Sequence, residues 1–166
     1  MPRALDAARI KRFSKYFGAE LTGFCAYLGG AVAQEAIKKT GKFTPIEQWI
    51  HHEDAALVTD ECSANTGPPM NTRYDDQIAI LGKDFQRRAA NQRVFLVGCG
   101  ALGCEYLKGL SMMGVGVGDY GKVTVTDMDT IELSNLSRQF LFRGTDVGNS
   151  KSISGARVVK VRFRTF

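Results

Sequence analysis

Histidine is almost missing from this 166-residue chain: the two present, His51 and His52, are adjacent. A nucleophile paired with a histidine base would have to be built on that one polar stretch, so acyl transfer by a Cys/His or Ser/His pair is disfavoured. The four cysteines, Cys25, Cys62, Cys99 and Cys104, contain no CxxC pair. Neither a zinc site nor a disulfide framework is indicated, and no metal ligand is assigned. They read as small hydrophobes in a reducing compartment. No apolar run approaches the roughly 20 residues of a membrane helix. The basic start, with Arg3, Arg9, Lys11 and Arg12, has no apolar segment behind it to make a secretory signal. An intracellular location and no membrane partner are expected.

The net charge of +5 sits at the two ends. Residues 1–16 carry five Lys/Arg against Asp6, residues 151–166 carry five and no acid, and the stretch between is net negative. A nucleic-acid reader concentrates its charge on the folded face that bears its motifs, so no nucleic-acid partner is expected.

Glycine is abundant, and eight of the 18 fall between 98 and 121. The apolar, strand-forming run 94–97 feeds into a GxGxxG pattern at Gly98, Gly100 and Gly103, and helix-like sequence follows over 101–113. Strand, glycine turn, helix is the order a phosphate-binding turn requires. The helix N-terminus then faces the anion. The run 114–121 reads as a helix stop and a flexible return, and 122–127 as a second strand ending on Asp127. That acid lies near the spacing of about 20 residues at which a carboxylate accepts from ribose hydroxyls. Asn135, Arg138 and Gln139 follow at i, i+3 and i+4. On a helical turn they share a face, and a guanidinium with two amides aimed at one point suits a polyphosphate.

Upstream, residues 24–39 repeat apolar side chains at helical spacing and read as a well-buried helix of some larger body. Residues 43–50 read as a short extended piece in which Trp49 is a packing anchor, and 60–70, with Pro68 and Pro69, as a linker. A further helix is expected over 84–90, and residues 153–166 look basic and strand-like.

Four ordered blocks resemble the ubiquitin-activating enzymes, within the wider group of adenylate-forming activators that also serve bacterial sulfur-carrier proteins. They are Arg73-Tyr74-Asp75-Asp76-Gln77, Phe95-Leu96-Val97-Gly98-Cys99-Gly100-Ala101-Leu102-Gly103-Cys104-Glu105, Val125-Thr126-Asp127-Met128-Asp129-Thr130-Ile131-Glu132, and Ser134-Asn135-Leu136-Ser137-Arg138-Gln139-Phe140-Leu141-Phe142-Arg143. Gly29-Gly30-Ala31-Val32-Ala33-Gln34-Glu35 and Gly41-Lys42-Phe43-Thr44-Pro45-Ile46 look like the end of the inactive adenylation half of the single-chain eukaryotic type.

The resemblance implies an α/β, Rossmann-like nucleotide-binding fold of the ThiF/MoeB adenylation type, incomplete in this chain. Residues 1–59 would end the inactive half, 60–70 link, 71–152 begin the active adenylation domain, and 153–166 form a divergent tail. By resemblance Gly98, Gly100, Ala101 and Gly103 contact the nucleotide and Asp127 holds the ribose. Arg138, with Asn135 and Gln139 beside it, meets the triphosphate, and Lys151 neutralises phosphate as the modifier's carboxylate attacks. Arg138 and Lys151 would thus be the catalytic pair. ATP is the implied cofactor, with Mg2+ on an aspartate outside this chain. Ubiquitin or a ubiquitin-like protein is the implied substrate, and ubiquitin-conjugating enzymes are partners of the whole protein, in cytoplasm and nucleus. No cysteine here matches the family's thioester-forming nucleophile. The likeness covers about residues 19–152 and then stops, as a frame change, a mis-spliced end or a truncated gene model would make it. A nicotinamide- or flavin-dependent oxidoreductase on the same unit, and a non-catalytic nucleotide-binding module, remain as alternatives. The piece is expected to be inactive alone and to expose apolar surface.

Overall fold

The computed structural model describes residues 6–52, 54, 58, 62 and 65–162. They divide into two compact units, Met1–Phe85 and Gln86–Phe166.

In the first unit, helix α1 spans Ala7–Tyr16, α2 Thr22–Lys38 and α3 Asp75–Leu81; α4, Lys83–Ala90, runs across the division. Gln77, Ile78 and Ile80 of α3 are buried. Helix α2 carries no buried residue in this chain. Phe24 and Tyr27 meet the His52 ring, whereas Leu28, Val32 and Ile37 remain exposed. Trp49 is 88% exposed, where a packed side chain was expected. The expectation for Trp49 treated apolar character as burial, which requires a neighbour to cover it.

The turn into α3 is held by one carboxylate. Asp75 accepts from the backbone N–H groups of Met70 (3.2 Å), Asn71 (2.9 Å) and Thr72 (3.3 Å) and from the Thr72 hydroxyl (3.0 Å). Desolvation pushes the Asp75 pKa up, but these hydrogen bonds prevail and hold it below the usual carboxylate range. A depressed folded pKa contributes stability that is present above the unfolded value and lost as pH falls through the folded one. Asp75→Asn is therefore expected to lower the thermal midpoint at neutral pH, with the gap to wild type closing as the solution is acidified. A gap of equal size at both pH values would contradict this.

The second unit is built on a parallel pair, β1 (Arg93–Val97) and β2 (Lys122–Thr126), joined by α5 (Ala101–Met112). Arg93 pairs with Lys122 and Val97 with Thr126. Alternation along both strands turns Leu96, Val123 and Val125 toward the core, leaving Phe95 and Val97 exposed on the other face. The core gathers Cys99, Cys104, Leu107, Ile131, Leu141, Phe142 and Val158. The return from α5 is pinned where a flexible loop was expected: Gly116 and Gly118 donate to the carbonyls of Ala89 and Ala90 at 3.0 and 2.8 Å.

The largest departure from the expected secondary structure lies at the end. Residues 153–162 of the stretch read as a strand-like tail lie in helix α6, Lys151–Arg162, and 163–166 fall outside the described residues. Ile153, Val158, Val159 and Val161 suggest a strand by residue type, but β-branched residues follow packing more than intrinsic preference. The buried positions are Lys151, Ser154, Gly155 and Val158, spaced i, i+3, i+4 and i+7 on one helical stripe. Glycine at 155 lets this helix approach the core, since a Cβ there would run into the Cys99 sulfur.

Candidate functional site

The glycine turn has the geometry its spacing implies. Gly98 has φ +97°, in the left-handed region, and its N–H donates to Thr126 O at 2.7 Å, carrying the β1–β2 ladder into the turn. A Cβ on Gly103 would collide with the Gly98 carbonyl, so the third glycine sets how closely α5 sits on the turn. A Cβ on Gly100 would meet only the Gln139 amide nitrogen, at 4.0 Å, so the second glycine leaves open space. Gly100 caps α5 and Ala101 begins it.

Asp127, just past β2, is tied to this turn. Its Oδ2 accepts from Cys99 N–H at 2.5 Å and its Oδ1 from Asp129 N–H at 2.8 Å. The segment after it coils into a 3-10 helix, Leu133–Ser137, rather than an α-helix. That alters the expected shared face. Asn135 is buried and caps this turn, its Oδ1 accepting from Glu132 N–H at 3.1 Å. Arg138 is exposed, with Nη1 donating to Ser134 O at 3.2 Å. Gln139 is 3% exposed, and its Oε1 has no partner among the described residues. The two amides and the guanidinium thus do not aim at one point.

A polar cleft of about 520 Å³ brings several of these groups together. Asn135, Arg138 and Lys151 line it with Met128, Asp129, Thr130 and Glu132. The glycine turn, Asp127 and Gln139 are not in its lining; Asp127 reaches it through its bond to Asp129 N–H. Lys151 Nζ pairs with Asp129 Oδ2 at 2.7 Å. That hydrogen bond raises the Lys151 pKa above the usual lysine range, burial opposes it, and the charges of Asp129, Asp127 and Glu132 reinforce it. Sequence spacing alone did not point to Asp129 or Glu132 as site residues; the only signal for Asp129 was a second acid two places beyond Asp127.

The cleft offers two cations and an amide, and the turn beside it offers a backbone free of Cβ atoms, a donor set suited to phosphate. Among the described residues no group of three His, Cys, Asp or Glu stands together to hold a metal.

Cys99 and Cys104 are fully buried. A hydrogen bond with Cys104 and burial push the Cys99 thiol up, which keeps it protonated and unreactive. Because the bond to Asp127 uses the Cys99 backbone, Cys99→Ala is expected to leave nucleotide affinity unchanged and lower the thermal midpoint by a few degrees. Calorimetric titration and a melting curve check both.

Residues 74–163 match the ThiF family. The chain is 45% identical over 161 residues to "Ubiquitin-activating enzyme E1 1" of Candida albicans, covering 94% of this chain and 16% of that protein. It is 44% identical over 161 residues to "Ubiquitin-like modifier-activating enzyme 1" of Mus musculus, covering 95% of this chain and 15% of that one. Among solved structures, E. coli MccB with AMPCPP and MccA is 28% identical over 62% of this chain and 29% of that chain, with a TM-score of 0.49. The family match runs past residue 152, where the likeness was expected to stop, to residue 163. The chain spans about 16% of the length of the relatives it matches.

Proposed function

From the chain's membership of the ThiF family, we propose that it carries part of the ATP site of a ubiquitin-activating enzyme, in which the C-terminal carboxylate of ubiquitin or a ubiquitin-like protein is adenylated. The observation that carries the reading is the polar cleft in which Arg138 and Lys151 stand together beside a glycine turn closed by Asp127. In this reading the backbone of Gly98, Gly100, Ala101 and Gly103 lies along the nucleotide, and the remaining lone pairs of Asp127 accept from the ribose. Arg138 and Lys151 hold the phosphates and stabilise the negative charge that gathers there during transfer. Asn135 shapes the cleft and Gln139 supports the turn. Bound ATP supplies the adenylyl group, and pyrophosphate leaves.

The residues present fit ATP. Among the described residues no cluster forms a metal site; Mg2+ would be held by an aspartate outside this chain and would add to the charge stabilisation by the two cations. Residues 1–59 would end the inactive half, 71–152 would begin the active one, and ubiquitin-conjugating enzymes would be partners of the whole protein, in cytoplasm and nucleus.

The competing oxidoreductase reading shares the βαβ unit but has no use for paired cations after the ribose acid. Titrating the purified chain with ATP and with NAD separates the two. Tighter binding of ATP is expected, and tighter binding of NAD would overturn the adenylation reading.

A further inference from the structure

We propose that Asp129 is a positioning residue, whose carboxylate aims the Lys151 ammonium into the cleft before any phosphate arrives. The inference rests on the ATP reading above and adds a residue to it.

Lysine is a point charge on a flexible four-carbon stem, and ordering that stem costs conformational entropy whenever an anion captures it. Here the stem is already ordered. Nζ donates to Asp129 Oδ2 at 2.7 Å, and the Lys151 backbone N–H donates to Asp129 O at 3.1 Å, so one residue grips the lysine at both ends. The neighbouring backbone fixes the distance between them. Thr130 and Ser150 form an antiparallel bridge, Ile131 N–H donates to Asn149 O at 2.9 Å, and Gly148 N–H to Ile131 O at 2.8 Å.

The pair is also asymmetric. The lysine side chain is 9% exposed while the Asp129 side chain is 70% exposed. A buried ammonium without a counter-charge is costly, and Asp129 supplies one while two of the three ammonium N–H groups have no other acceptor among the described residues. Lys151 lines the cleft that Arg138 shares. The other acids whose fields reach Lys151 are Asp127 and Glu132, and Asp127 is already engaged by two backbone N–H groups.

The test is a double-mutant cycle on the purified chain, read by calorimetric titration with ATP and by NMR titration of the Lys151 side chain. Asp129→Asn is expected to weaken ATP about tenfold, to change affinity little when Lys151 is already Met, and to lower the pH at which Lys151 titrates. Asp129→Glu, which keeps the charge and shifts it by one methylene, is expected to restore part of the affinity, and it serves as the test if the Asn variant does not fold. Unchanged or tighter ATP binding by Asp129→Asn, or the same loss in the Lys151→Met background, would overturn the proposal while leaving the ATP site standing. A wild-type chain that binds no ATP would overturn both.

Discussion

Gly103→Ala is expected to destabilise the second unit by about 1–3 kcal/mol or more, whereas Gly100→Ala is expected to keep the fold and lose ATP. The two glycines sit three residues apart in one motif and differ in what a methyl group would meet. At Gly103 the new Cβ collides with the Gly98 carbonyl oxygen. That oxygen belongs to backbone, and it cannot step aside without moving a residue already held in the left-handed region and bonded to Thr126 O. Either α5 lifts off the turn or the ladder to β2 opens, and both strain the contact between Cys99 N–H and Asp127. At Gly100 the nearest atom is a side-chain nitrogen at 4.0 Å, and its φ of −80° suits any residue. There the methyl group occupies only the open space proposed for the nucleotide. Melting curves and ATP titrations on both variants check the contrast. Equal stability of the two would show that the third glycine is not a packing requirement, and full ATP affinity in Gly100→Ala would remove the turn from the site.

Phe142→Ala is expected to cost about 3–5 kcal/mol and to take the cleft with it. Phe142 is 2% exposed and packs with Ile131 and Leu141, which are also fully buried. These three side chains flank the segment that carries Asn135 and Arg138, so the cleft's cation is positioned by apolar anchors on either side of it. For a chain of this size such a loss lowers the thermal midpoint by roughly 10 °C. Phe140→Ala is the control: Phe140 is only partly buried, with Lys108 Nζ 4.9 Å from its ring centroid, and a smaller loss is expected. A Phe142→Ala chain that melts and binds ATP like wild type would show that this segment is held by something other than the core.

What the sequence made legible is what local spacing dictates. The strand, glycine turn and helix at Arg93–Met112 come from residues within one window, and β2 with Asp127 at its end comes from alternation closed by an acid. Partnerships between distant segments were not legible. Asp129 and Lys151 meet only because the end of β2 and the start of α6 are joined by the Thr130–Ser150 bridge. The i, i+3, i+4 rule placed Asn135, Arg138 and Gln139 on one face because it assumes an α-helix; in a 3-10 turn that ends at Ser137 the rule fails. Helix α6 looks strand-like by its valine content, whereas the buried spacing of Lys151, Ser154, Gly155 and Val158 is helical. Trp49 differs in another way, as a large apolar side chain that was expected to pack and is exposed.

The central claim is that Arg138 belongs to a site for a polyphosphate, and comparing ATP with AMP on wild type and Arg138→Ala tests it most directly. Wild type is expected to prefer ATP to AMP. Arg138→Ala is expected to lose about 1.5–3 kcal/mol of ATP binding, the worth of a charge-assisted hydrogen bond, while its AMP affinity stays near that of wild type. Equal loss for both nucleotides, or wild-type ATP affinity in Arg138→Ala, would contradict the account.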